Sequence, residues 1–322
     1  MRKNILSYAN DSNNFLPEKN WFGQRAFRIN CLAQEAIVEM PKFKRVKFSL
    51  GWGENEYLDL ILREPCGDEG YIPIGTVSKQ YSLIQHAEVL EAVVQTGKCL
   101  DIDFENQPVE IILSHYGERM RATWQLPGYD FDPGDGKPIV LVVSVTNSVD
   151  KSCALEIRLE WLRLVCKNGM MYGLKEKNLY HKHVASLTPS DIAAFISFEL
   201  GRAPKEMQIY QAWFNDKTSL EQISKWADNV IATKWGALAA ARVVKIAKTG
   251  FDGEFVRPFD KAKPSKKEMK ITVEVPGAFA PVGNKFHASQ ILSWIAKERN
   301  SLQDQIQKLY DIPGLIAHLN SI

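Results

Sequence analysis

The chain has 322 residues, of which 45% are hydrophobic and 24% charged, the balance of an ordinary globular protein rather than a disordered or membrane-embedded one. Its length fits one large or two ordinary domains. The net charge of +2 hides an asymmetry: residues 41–180 hold 16 Lys and Arg against 20 Asp and Glu, whereas residues 181–322 hold 19 against 14. A polyanionic partner is therefore expected to meet the second half.

Residues 1–40 are polar with scattered aromatics, Phe15, Trp21, Phe22 and Phe27, and are expected as an N-terminal arm. From Phe43 the pattern turns to strands, Lys42–Leu50 and then Tyr57–Glu64, joined through Gly51-Trp52-Gly53. Ile72–Val77 leads into a helix over His86–Thr96, with Val89, Leu90 and Val93 at helical spacing, which is expected to stop at Gly97. Val109–Tyr116 and Arg119–Leu126 flank Gly117-Glu118 as a hairpin. Ile139–Val145 is an apolar run broken only by Ser144, hence a buried strand. After a polar turn, Leu155, Ile157, Leu159 and Trp161 alternate with Glu156, Arg158 and Glu160, so a half-buried strand with one wet face is expected. Beyond residue 186 the period becomes helical: Thr188-Pro189-Ser190-Asp191 has helix-start chemistry, and helices follow over 204–214, 219–230, 231–249, 286–310 and 314–320. Residues 251–285 are irregular and Lys-rich, like an exposed connector. The fold class is α+β: an antiparallel-rich mixed sheet domain over 41–185, then a mostly helical domain over 186–322.

Two motifs carry a family resemblance. Asn147-Ser148-x-Asp150, followed by Arg163-Leu164-x-Cys166-x-Asn168-Gly169, resembles the phage/plasmid-like proteins of domain-of-unknown-function family 932. Upstream, Val77-Ser78-x-x-Tyr81 before a short helix is similar to the same family's pattern. The resemblance spans roughly residues 45–320 and departs at Val149 and Lys151, where relatives tend to carry His and Gly. It implies a protein of plasmids, prophages or integrative elements in a bacterial cytoplasm.

Catalytic and metal constellations are weak. Asp130-Phe131-Asp132-Pro133-Gly134-Asp135-Gly136 invites a calcium loop, but the third Asp is displaced and the twelfth position is Leu141; a turn is expected instead. His181 and His183 lack a third zinc ligand, and Cys166 reads as a packed thiol rather than a nucleophile. The five cysteines are odd in number, with no CxxC, as expected of reduced cytoplasmic thiols. No apolar stretch reaches the ~20 residues that span a bilayer, and the polar start, Met1-Arg2-Lys3-Asn4, lacks a signal-peptide core. The expectation is a cytoplasmic, non-enzymatic chain with no metal and no cofactor.

The basic features point further. On a helix over 231–249, Lys234, Arg242, Lys245 and Lys248 fall within a sector of about 120° at 100° per residue. The connector adds Lys261, Lys263, Lys266, Lys267 and Lys270. Such a pair tracks a phosphate backbone without reading sequence, and Trp52 and Trp124 are candidates for base stacking. The favoured expectation is DNA binding, of single strands, in recombination, annealing or protection of a mobile element, with a homo-oligomer as a further possibility. The alternative is a protein-interaction module that blocks a host defence or restriction system through the acidic half. A hydrolase built on Asp101, Asp103 and a histidine is the third and weakest reading.

Overall fold

The computed structural model describes residues 26–51, 53–66, 68–163, 170–172, 178–181, 189–254, 271–297 and 302–321. The chain is α+β, with its sheets ahead of most of its helices. The main sheet runs in the order β1 (Ala26–Leu32), β5 (Pro108–Ser114), β6 (Arg119–Phe131), β7 (Ile139–Ser148), β8 (Leu155–Arg163) and β10 (Asn178–His181), with β9 (Met170–Tyr172) also on β8. A smaller sheet holds β2 (Phe43–Leu50), β3 (Gly53–Arg63) and β4 (Ile72–Ser78). Every pairing among the described strands is antiparallel, so the mixed character expected of the sheet is absent from this part.

One face of the main sheet is apolar. Leu141, Val143 and Val145 of β7 lie beside Ile157, Leu159 and Trp161 of β8, all buried. Against this face pack α1 (Ala33–Glu39), α2 (His86–Leu100) and α3 (Pro189–Asn215). The same cluster continues into the helices beyond, through Trp226, Val243, Ile291 and Ile316. The boundary expected near residue 185 therefore separates types of secondary structure, not two cores. The expected arm over residues 1–40 is also corrected in part: Ala26–Glu39 form β1 and α1, and Phe27, Ile29, Ala33 and Ala36 are core residues.

The opposite face is charged, yet it is not wet. Register places Thr123, Ser144 and Arg158 in one row, and Arg121, Thr146 and Glu156 in the next. Arg158 is 3% exposed and Glu160 5%, against the solvated face that alternation predicts. The charges are tolerated because they compensate one another. Arg121 Nη2 donates to Glu160 Oε2 at 2.9 Å and to Ser144 Oγ at 3.1 Å, and Arg158 pairs with Glu156. Burial pulls the Arg121 guanidinium down to about 10, opposed by the charge of Glu160, so it stays a cation at neutral pH. Removing one partner of such a pair would strand the other charge.

Helix α2 runs past Gly97 to Leu100 and ends on Asp101 in the left-handed region (φ 58°). Gly97 is needed for contact rather than termination: a Cβ there would lie 2.6 Å from Phe104 Cδ2. The missing side chain lets the 101–104 turn fold back against the helix.

The segment Asn147–Asp150 joins the two sheets. Asn147 Nδ2 donates to Ile84 O at 3.1 Å and lies 2.9 Å from His86 Nδ1, while His86 Nε2 is 2.8 Å from Gly117 O. Those partners fix the neutral tautomer with its proton on Nε2. Tyr81 Oη donates to Ser148 O at 3.1 Å, linking the two sequence motifs that lie 67 residues apart. Asp150 accepts the Ser152 amide at 3.0 Å and its hydroxyl. Val149 is buried with Phe43, Ile61, Val77 and Tyr81. Lys151 takes φ 63°, a left-handed backbone that glycine adopts at less cost than lysine. This joint makes a test of opposite signs. Asn147→Ala, which leaves buried acceptors unpaired, should lower unfolding free energy by about 2 kcal/mol, whereas Lys151→Gly should hold or raise it by up to about 1 kcal/mol. Urea denaturation of both variants measures this; equal stabilities for Asn147→Ala and wild type would show that the joint is not structural.

Candidate nucleic-acid interface

The helix expected over 231–249 is broken. A π-helical turn (Ala227–Ile231) leads into α5 (Ala232–Trp235), and Gly236, at φ 96° and ψ 158°, separates it from α6 (Ala237–Thr249). Only glycine adopts that backbone readily, so the break was marked in the sequence by Trp235-Gly236-Ala237. A projection at one angle per residue cannot cross it. Lys234 is exposed on α5, outside any stripe that the periodicity of α6 defines. Within α6, Ala239, Ala240, Val243, Ile246 and Ala247 are buried, and Lys245 and Lys248 stand exposed one turn apart.

Arg242 leaves the expected stripe for an ion pair. Its Nε donates to Asp252 Oδ1 at 3.1 Å and its Nη2 to Asp252 Oδ2. Trp294 Nε1, from α7 (Lys285–Lys297), donates to the same Oδ2 at 2.9 Å, and the Gly253 amide to Oδ1 at 2.9 Å. One carboxylate thus ties α6 and α7 to β11 (Phe251–Glu254). Burial alone would push the Asp252 carboxyl up, but the bonds from Arg242 and Trp294 and the charge of Arg242 outweigh it and hold the group below the usual range.

Strand β11 pairs with β12 (Ile271–Glu274), Glu254 opposite Ile271. Glu254 and Ile271, the residues that flank 255–270, are therefore paired, and β11 lies next to α6, where a Cβ on Gly253 would collide with Lys245 Nζ. That segment carries six Lys and Arg against two carboxylates. The fold brings β11, the strand that precedes this segment, against Lys245 of α6.

Exposed aromatics occur here as well. Phe251 is 43% exposed and Phe279 46%. The chain after β12 crosses the end of α6: Val275 N donates to Gly250 O at 2.8 Å and Val282 N to Ala247 O at 2.9 Å. Gly250 and Ala280, the neighbours of the two rings in sequence, approach each other so closely that a Cβ on Gly250 would lie 3.4 Å from that of Ala280. Lys137 Nζ stands 5.7 Å from the Phe279 ring centroid, and His287 lies behind that ring at 4.9 Å. Burial lowers His287 to about 4, so it is neutral at physiological pH. Phe251, Phe279 and Lys137 gave no periodic signal; only a position next to a helix-ending glycine marked Phe251.

The stacking role expected of Trp124 is corrected: the residue is 0% exposed and its ring lies 6.0 Å from Phe104 in the core. The inward phase of β6 put it there. Trp52, Lys261, Lys263, Lys266 and Lys267 lie outside the described residues, as do Cys166 and His183. Two of the three carboxylates of 130–136 serve a turn and a pair. Asp132 Oδ1 accepts the amides of Gly134, Asp135 and Gly136, and Asp135 pairs with buried Arg163. Asp103 accepts from Asn106 in a local turn. Among the described residues, no group of three or more His, Cys, Asp or Glu could hold a metal ion, and no helix is long and apolar enough to cross a membrane.

A family model described as Domain of unknown function (DUF932) matches residues 73–270, and the chain belongs to that family. No curated protein and no solved structure matches it. The matched span runs from β4 through α6, β11 and the basic segment; the Asn147–Asp150 joint lies inside it, and α7, which supplies Trp294, lies beyond it.

The Asp252 anchor has a pH signature. A folded-state pKa below the ordinary ~3.9 gives stability that is present above that value and lost as pH falls through the folded one. Asp252→Asn should therefore cost about 2 kcal/mol at pH 7, and thermal melts should show the gap to wild type closing below about pH 4. A gap independent of pH would show that the carboxylate charge plays no part.

Proposed function

We propose that this protein binds a single-stranded nucleic acid, DNA in the reading favoured here, by backbone capture and base stacking, without bond chemistry. The observation that carries the reading is the β11–β12 pairing, which joins the two strands flanking the six-cation segment, with Gly253 of β11 against Lys245 of α6. Clustered lysines on one surface neutralise phosphates and release counterions. Phe251 and Phe279 take the stacking role, since aromatic faces accept any base. Arg242 contributes by holding the hairpin in place, not by touching phosphate. In the family setting implied by the motifs, such binding serves annealing, recombination or protection of a mobile element.

A second reading has its own observation. On the acidic half, Tyr57 and Tyr71 of the small-sheet region stand 75% and 52% exposed, as in surfaces that meet another protein. That surface would suit a module that blocks a host defence protein.

Fluorescence anisotropy with short labelled single strands separates the two. Wild type should bind more weakly as salt rises, and Lys245→Glu/Lys248→Glu should flatten the slope of log K against log salt by about 1.4, at ~0.7 per phosphate contact. Affinity should fall roughly tenfold or more, to similar extents across sequences. The fold should survive, because both side chains are exposed and no structural bond uses them as donors among the described residues. Absence of wild-type binding at low salt would sink the nucleic-acid reading and leave the protein-contact one.

A further inference from the structure

The surface that carries Phe251 and Phe279 does not end at those rings. We propose that the bound strand continues past Phe279 onto a second pair of cations, Lys137 from the β6–β7 loop and Lys217 just beyond α3. One single strand then runs from α6, across both rings, to the β6–β7 end of the main sheet. The path rests on the nucleic-acid reading and gives that reading its second half.

Residues 275–285 join the two patches. Val275 and Val282 fasten them to the end of α6. Further along, Thr218 N donates to Gly283 O at 3.1 Å, Lys285 N donates to Asp216 O at 3.0 Å, and Lys217 pairs with Asn284 in an antiparallel bridge. Asn284 Oδ1 accepts the His287 amide at 2.8 Å, and the His287 ring backs Phe279 at 4.9 Å. From the main sheet, Lys137 brings its Nζ to 5.7 Å from the same Phe279 ring. The loop that carries Lys137 is seated there by Gly134, where a Cβ would lie 2.6 Å from Phe214 Cε1, and Phe214 meets His287 edge to face at 5.6 Å. Phe279, Pro281, Gly283 and Lys217 are all exposed along this route.

Charge selects these two lysines. Neither Lys137 nor Lys217 joins an ion pair among the described residues, whereas the carboxylates beside them in sequence are engaged. Asp135 pairs with buried Arg163, Asp216 pairs with Lys285 at 2.6 Å, and Asp132 accepts three amides of its own turn. Cations left without a carboxylate are the ones that can neutralise phosphates and release counterions. Phe279 stands between the two cation pairs at φ 39°, a left-handed backbone that residues with a side chain rarely adopt. An exposed ring with cations on either side lets a base stack while the backbone passes from one cation to the next. Glu274, exposed opposite Phe251 and without an ion pair among the described residues, is a negative charge that this strand must pass.

The test measures anisotropy of a labelled oligothymidylate of about 16 nucleotides on the full chain, across a salt series. Lys137→Glu/Lys217→Glu should weaken binding and flatten the slope of log K against log salt by about 1.4, two contacts at ~0.7 each. Combined with Lys245→Glu/Lys248→Glu, the flattening should reach about 2.8, because a single strand occupies both patches. Glu274→Gln should tighten binding by about twofold or more, as a repelling charge is removed. Lys137→Gln/Lys217→Gln, which introduces no new charge, should act in the same direction and keeps the test open if the reversed pair does not fold. Wild-type affinity and slope in a folded Lys137/Lys217 variant, beside weakened binding by Lys245→Glu/Lys248→Glu, would overturn the path and leave the nucleic-acid reading standing. A four-lysine variant no flatter than either pair would also overturn it, since the patches would then hold separate strands. A wild type that binds no strand at low salt would remove the path together with the reading it rests on.

Discussion

A single carboxylate, Asp252, organises the part of this protein that the functional reading depends on. It is buried, and by itself such a charge would be costly. Arg242 from α6, the Trp294 indole from α7 and the Gly253 amide converge on it. The convergence sets where β11 leaves α6, and with it where β12 returns and where the basic segment begins and ends. Two helices and a hairpin are located by four donors, from three residues, on two oxygens. The same economy explains why an arginine that looks like a phosphate contact on a helical wheel is spent internally.

The main sheet divides its labour by face. Its apolar face builds the larger core, which runs on through the helices. Its other face holds a compensated ionic ladder, Arg121 with Glu160 and Arg158 with Glu156. Buried pairs of this kind contribute little net stability but penalise any register that separates them. The joint at Asn147–Asp150 then fastens the small sheet to the end of the large one, through Tyr81 on one side and His86 on the other.

Much of this was legible in the sequence, and the failures share a cause. The hairpin at Gly117-Glu118, the β7–β8 pair and the switch to helices past residue 186 follow from periodicity and turn chemistry. Periodicity reports which residues share a face but not what covers it. So alternation alone points Glu156, Arg158 and Glu160 at solvent, and it leaves Trp124 a stacking candidate although the residue lies in the core. A helical wheel also presumes an unbroken helix, and Gly236 ended that presumption for Lys234. Gly97 shows the converse: glycine can mark a close approach as well as a stop. What no local pattern could show is the pairing of β11 with β12 across the basic segment, since four-residue strands separated by sixteen residues carry almost no signal. The candidate interface rests on that pairing.

Ultraviolet cross-linking of a photoreactive single-stranded oligonucleotide to the full chain, with the modified peptides mapped by mass spectrometry, tests the central claim most directly. The account predicts adducts on the peptides that carry Lys245 to Phe251, the 255–270 segment and Phe279. Adducts confined to the small sheet around Tyr57 and Tyr71, with none near α6, would contradict it.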